Sequence, residues 1–236
     1  MKLFFFALLS LGVLTQCVAP SAPTKYPLPA GFCYVDTLAP SIRVNLLYAG
    51  DDNFVGKKLA GYEGERAILR RDTAESLARA QVLFEQQGLG LYITDAYRPR
   101  RAMEDIQVWA KTPDQRMQAK YYPNHTKKEI FEHQYIGKVS EHSWGIAVDV
   151  TLINLKTGQF LDMGGFPDLL DPISATDYAG AELSEAQRAN RQLLKQTMAR
   201  AGFKNYSKEW WHYYLADKGK ILSYDFVIDD DLQTSL

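Results

Sequence analysis

The chain has 236 residues, 46% of them apolar and 23% charged, proportions that suit one globular domain able to bury a core and exclude disorder as the main state. Its 27 Lys and Arg against 28 Asp and Glu leave a net charge of −1, which argues against a general electrostatic grip on nucleic acid. Lys2 followed by the apolar run Leu3 to Val13 reads as a secretory signal over residues 1–16. That run is shorter than the roughly 20 apolar residues a membrane-spanning helix needs. Cys17 stands where bacterial lipoproteins carry a lipidated cysteine; Leu14 and Thr15 fit that pattern and Gln16 departs from it. Lipidation at Cys17 and ordinary cleavage among the small residues Ala19 to Ala22 both remain open. Either way the chain is expected outside the cytoplasm, periplasmic or lipid-anchored to a bacterial envelope membrane. The proline-rich residues 17–31 predict an extended linker or arm, and the domain proper is expected over 32–236. Cys33 is the one cysteine of that domain, so its stability must come from the core and not from an internal disulfide.

Within the domain, the alternation in 41–48 predicts a strand. A helix is expected over Thr73–Gln87, capped by Asp72 or Thr73, with Ala74, Leu77, Ala78 and Val82 as its apolar stripe and Gly88 as its end. Leu89–Thr94 predicts a strand. Pro99 is placed as a first-turn proline for a helix over Arg100–Ala110, and another helix is expected over Lys127–Tyr135. Ile146–Leu152 predicts a strand with Ile146, Val148 and Val150 on one face and Ala147, Asp149 and Thr151 on the other. Ser184 with Gln187 forms a capping-box pattern for a helix that ends at Gly202. Trp210–Leu215 reads as a short aromatic strand and Tyr224–Ile228 as a last one. Helices interspersed with strands that need not be parallel predict a single α+β domain, its helices packed on a mostly antiparallel sheet.

Of the four histidines, His125 and His133 sit in a polar helical stretch and read as surface residues. His142 and His212 stand among carboxylates. A catalytic zinc takes three protein ligands of nitrogen or oxygen type and keeps a position open for water. His142, Asp149 and His212 would supply two imidazoles and a carboxylate, with Glu209 as a base that is not a ligand. In a regular strand, positions 209 and 212 would point to opposite faces, so Glu209 is expected just ahead of the strand, out of regular geometry. Asp149 lies among Ile146, Val148 and Val150, where an unpartnered carboxylate is costly and a metal is one way to satisfy it. Either segment alone reads as ordinary polar residues of a core or surface; together they supply a ligand set and a base. No HExxH motif is present, and the spacing is not a general zinc signature. A second cluster, Asp95-Ala96-Tyr97-Arg98-Pro99-Arg100, follows a strand and precedes a helix. Pro99 biases Arg98 towards extended backbone, and Asp95 can hold its guanidinium, either as a structural pair or to stabilise an oxyanion. The aromatic group Trp210, Trp211, Tyr213 and Tyr214 reads as core and pocket wall.

These residues bring a family into view. The chain resembles the D-alanyl-D-alanine dipeptidases, the VanX family of zinc metallopeptidases, from about Ile42 to Ile228. The likeness rests on Ser140-x-His142-x6-Asp149 with Gly145 and Ala147 between, on Glu209-x-Trp211-His212 and on Asp95-x-Tyr97-Arg98-Pro99. Tyr48-Ala49, Asn53-Phe54, Gly61-Tyr62, Tyr121-Tyr122-Pro123 and Met163-Gly164 leading to Asp168 add to it. The resemblance implies one Zn2+ per chain in a narrow cleft, with His142, Asp149 and His212 as ligands, Glu209 as the catalytic base and Arg98 as the transition-state arginine. It also implies that Ser140, Tyr48 and Asp168 bind the ends of a small dipeptide, with Asp168 facing the free ammonium. Two departures stand out: Pro167 takes the place of the phenylalanine usual before that aspartate, and this chain carries an export signal.

The reaction the resemblance implies is zinc-dependent hydrolysis of D-alanyl-D-alanine to two D-alanines, in cell-wall turnover. A D,D-carboxypeptidase acting on muropeptide stems and a non-catalytic zinc module that binds wall peptide are the alternatives. No nucleic-acid partner is expected, and membrane contact only through a lipid on Cys17.

Overall fold

The apolar patterning resolves into three long helices and a set of mostly short strands. The computed structural model describes residues 27–217, 219, 221–231, 233 and 234; the signal segment 1–16, Cys17 and most of the proline-rich arm lie outside the described residues. In chain order the elements are β1 (Pro27–Leu28), β2 (Phe32–Tyr34), β3 (Arg43–Val44), β4 (Ile68–Arg70), α1 (Arg71–Glu85), β5 (Leu89–Asp95), α2 (Arg100–Ala110), α3 (Gln118–Tyr121), α4 (Lys127–Glu132), β6 (Ala147–Asn154), α5 (Glu185–Arg200), β7 (Phe203–Asn205), β8 (His212–Leu215) and β9 (Gln233–Thr234).

The main sheet has five strands in the order β3-β5-β6-β8-β7. β3 runs parallel to β5, and the other three pairings are antiparallel, as an α+β domain with a mostly antiparallel sheet was expected to have. β6 is buried along nearly its whole length, so the polar Asp149 and Thr151 on one of its faces lie in the interior. Helix α1 packs on β5 and on α5, and α5 packs on β7. Leu77 and Phe84 of α1, Leu91 and Ile93 of β5, and Leu194 and Met198 of α5 are all fully buried. Each such side chain contributes on the order of 1.5–3 kcal/mol relative to an exposed one. Of two smaller pairings, β2 with β4 (antiparallel) lies within the N-terminal part, and β1 with β9 (parallel) joins segments near the two ends of the domain.

Two local features place the functional side chains. Ile93 pairs with Val150, but Asp95 pairs with Asp149, so Thr94 is an extra residue on β5. This bulge brings Asp95 directly opposite Asp149, which in turn lies opposite His212 on β8. Directly opposed residues share a sheet face, so Asp95, Asp149 and His212 form one row across three strands. The second feature is the 3-10 turn Glu141–Trp144 ahead of β6, opened by the Ser140 side chain accepting from the His142 N–H and closed by Gly145 at φ +72°. A Cβ at Gly145 would stand 2.4 Å from Phe32 Cε1, so both the dihedral and the space require glycine.

The predicted elements need some correction. Only Arg43–Val44 of the 41–48 stretch pairs; Leu47–Ala49 turns as a 3-10 helix, which buries Tyr48. Helix α1 starts at Arg71 without a side-chain cap, and Val82 is 53% exposed, outside its buried face. Helix α4 ends at Glu132, two residues before Gln134 takes a left-handed φ of +61°, and it carries a Thr126/Glu129 capping box. His125 is buried, not on the surface, with its ring edge-on to His133. The 224–228 segment forms one bridge, Ile228 to Tyr62, and no strand. The Ser184/Gln187 capping box and the helix ending before Gly202 occur as expected. Among the described residues, no helix is long and apolar enough to cross a membrane.

Candidate metal centre

His142, Asp149 and His212 reach one point from three elements: the turn before β6, β6 itself and the first residue of β8. All three are buried. His142 Nε2 lies 3.1 Å from His212 Nδ1 and 3.2 Å from Asp149 Oδ2, and His212 Nδ1 lies 3.0 Å from Asp149 Oδ1. Zinc–ligand bonds of roughly 2.0–2.1 Å at tetrahedral angles put ligand atoms about 3.3 Å apart, so the triangle has the right size.

The tautomers sharpen this test. His142 Nδ1 is 2.6 Å from the Ala96 carbonyl oxygen, to which it can only donate, so Nε2 carries a lone pair. That lone pair faces a carboxylate oxygen, an arrangement that repels unless a cation lies between the two. The residues present therefore fit a divalent metal, with His142 bound through Nε2, His212 through Nδ1 and Asp149 through its carboxylate. The Ala96 carbonyl is the outer partner that orients a ligand imidazole.

Glu209 occupies the turn before β8: its N–H donates to the Tyr206 carbonyl, and the His212 N–H donates to the Glu209 carbonyl. The turn breaks strand alternation and puts Glu209 on the side of His212, with Oε2 3.8 Å from His212 Nδ1. Burial, then the charges of Asp149 and Asp168, push its carboxyl well above the usual value. That is the direction needed by a carboxylate that takes and returns a proton near neutral pH.

Arg98 follows β5, its N–H donating to the His142 carbonyl. Its Nε and Nη2 reach Asp95 Oδ2 at 2.9 and 2.7 Å, and Nη2 lies 3.6 Å from Asp149 Oδ2. The guanidinium carbon stands 4.6 Å from the Tyr48 ring centre. Tyr48 in turn donates its hydroxyl to Asp168 Oδ2 at 2.7 Å. Asp168 is buried, sits at φ +68° and has its carboxyl pushed up to about 7 by burial and by the charge of Asp149. Thus Tyr48, Arg98, Asp168, Ser140 and Glu209 all line one cleft of about 340 Å³ above the His/Asp/His triangle.

Every sequence-predicted site residue stands at or beside this cleft. Two contributors were not predicted. Tyr62 is fully buried and donates to Asp95 Oδ1 at 2.6 Å, fixing the carboxylate that holds Arg98. The Ala96 carbonyl is the other. Nothing in the spacing signals either one, because Tyr62 acts from 33 residues away and Ala96 through its backbone. The aromatic group divides as expected, with Trp210, Trp211 and Tyr213 in the core and Tyr214 in the cleft wall.

With the geometry in place, comparison with known proteins is informative. A family model described as D-ala-D-ala dipeptidase, a peptidase family, matches residues 29–231. The chain is 42% identical over 188 residues to a D-alanyl-D-alanine dipeptidase of Streptomyces coelicolor, an alignment covering 79% of this chain and 92% of that protein. It is 40% identical over 200 residues to one from Enterococcus faecium, covering 84% and 98%. Against one from Escherichia coli the identity is 35% over 180 residues, covering 75% and 80%.

Proposed function

The chain belongs to the D-Ala-D-Ala dipeptidase family of metallopeptidases, and from that premise we propose that it hydrolyses D-alanyl-D-alanine to two D-alanines with one zinc ion held by His142, Asp149 and His212. The observation that carries this reading is the closure of that triangle at 3.0–3.2 Å with an acceptor nitrogen facing a carboxylate. The Zn2+ supplies Lewis acidity towards the scissile carbonyl and a water acidic enough to lose its proton near neutral pH.

This chain's own residues do the rest. Glu209 takes the proton of the attacking water and gives it to the leaving amine. Arg98, held by Asp95 and backed by Tyr62, directs fixed positive charge at the developing oxyanion, with no reorganisation at the moment of reaction. Asp168, steadied by the Tyr48 hydroxyl, receives the substrate ammonium. The arriving cation offsets the burial that otherwise disfavours its charge. Ser140 also lines the cleft, and its hydroxyl accepts from the His142 N–H and caps that turn.

Chain length is read at the ammonium end. A substrate extended there would bring a neutral amide against buried Asp168 and lose the ammonium–carboxylate pair that a free amino end makes. The folded domain would stand behind a signal segment and a proline-rich arm, in the periplasm or on a lipid anchor at Cys17. Its D-Ala-D-Ala would come from wall turnover.

Free D-alanine release from D-Ala-D-Ala and from a pentapeptide stem tests the proposal. Turnover of the dipeptide with little from the stem is expected. The reverse preference would make the protein a D,D-carboxypeptidase, and binding without cleavage would make it a wall-peptide-binding module.

A further inference from the structure

Asp168 lies midway along a thirteen-residue loop, 163–175, that contains no long element of its own. Its base is clasped by one side chain. Arg191 of α5 is fully buried, and its Nε–H donates to the Met163 carbonyl at 2.7 Å. Its Nη1 donates to the Ile173 carbonyl at 2.7 Å and to the Ala175 carbonyl at 2.9 Å. Met163 stands five residues before Asp168 and Ile173 five residues after it, so one planar group spans both stems.

The guanidinium also passes beneath the approach to Asp168: a Cβ at Gly165 would stand 3.9 Å from Nη2. Towards the catalytic side, Arg191 stands 5.7 Å from the Trp210 ring centre, and the Trp210 backbone N–H donates to the Ser174 carbonyl. Trp210 is the neighbour of Glu209, so the arginine lies between the Asp168 loop and the Glu209 turn. The loop apex is held at another point, where the Leu170 N–H donates to the Tyr121 carbonyl at 2.7 Å, but that contact does not join the stems.

Burial pulls the Arg191 pKa down to about 10, with Asp162 offsetting it, so the group stays charged at neutral pH. A buried cation held by carbonyls, with no close carboxylate among the described residues, is an expensive way to fasten a loop. A hydrophobe of similar length fills the space at less desolvation cost, but it cannot bond two stems at once.

Resting on the function proposed above, we infer that Arg191 is a positioning residue for substrate selection: it sets the distance between the ammonium-binding Asp168 and the Glu209 turn, and through it the preference for a free amino end. Arg191 touches neither substrate nor metal. The planar fork is what the task needs, because two nitrogens at fixed separation reach both stems, whereas a lysine offers one.

The test compares D-Ala-D-Ala with N-acetyl-D-Ala-D-Ala in the wild type, R191M and R191K, each with zinc content measured. The wild type is expected to favour the free dipeptide strongly in kcat/KM. R191M is expected to keep one zinc per chain and to lose that preference by tenfold or more, chiefly through a higher KM for the free dipeptide. R191K is expected to fall between the two. A folded, zinc-loaded R191M with the wild-type preference overturns the inference, even if its Tm is lower. Should R191M not accumulate, R191K is decided on the same ratio. A wild type inert on D-Ala-D-Ala, or indifferent to acetylation, overturns the proposed function or the role of Asp168 instead.

Discussion

In the proposed mechanism Glu209 and Arg98 carry the chemistry at the level of single side chains, and their substitutions separate chemistry from metal binding. Glu209 lies outside the ligand triangle, so E209A is expected to retain one zinc per chain and lose about 10²–10⁴ in kcat. Metal analysis beside steady-state kinetics checks it; a metal-loaded E209A with normal turnover removes Glu209 from its role. Arg98 is held through Asp95 and Tyr62, so R98K is expected to cost roughly 10²–10³ in kcat because a lysine cannot keep the paired contact to Asp95 Oδ2. Y62F should cost less, since it loosens the arginine without removing it. The residues legible in the sequence are those with rare, chemistry-bearing side chains: with four histidines in the chain, a carboxylate-flanked pair draws notice. Tyr62, the Ala96 carbonyl and Arg191 escape because each acts through folded geometry on a partner far away in sequence.

At the level of elements, the legible ones have enough residues to show a period. Helices α1, α2 and α5 and strands β5 and β6 are close to their expected bounds. The strands β2, β4 and β7 have three residues each, too few to show alternation. β8 begins at His212 and not at Trp210 because the preceding residues turn to present Glu209. The bulge at Thr94, on which the Asp95–Asp149–His212 row depends, is a fact of pairing between strands and has no local signature. Two substitutions test this level. Ser184 caps α5 and does not line the cleft, so S184A is expected to lower stability by about 1 kcal/mol in urea denaturation with kinetics unchanged. Gly145 closes the turn that aims His142, and a Cβ there meets both a left-handed φ and Phe32. G145A is therefore expected to cost on the order of 2 kcal/mol and to weaken zinc retention, read by thermal denaturation and by metal loss on dialysis. Full zinc retention in G145A would show that the turn does not aim the ligand.

For the molecule as a whole, the α+β frame acts by bringing three distant segments to one end of a sheet: the β5 bulge, the turn into β6 and the turn into β8. Its net charge is near zero, so selectivity lies in the cleft and not in a long-range field. If Cys17 carries a lipid, the expressed protein should fractionate with membranes and C17A should be released; an equal soluble distribution for both would favour plain cleavage. The most direct measurement of the central claim is D-alanine release from D-Ala-D-Ala by protein of known metal content, before chelation, after it and after stoichiometric zinc is restored. The account predicts one zinc per chain, loss of turnover on its removal and recovery on its return, with H142A and H212A unable to recover. Full turnover by metal-free protein, or zinc bound undiminished in both histidine variants, would contradict it.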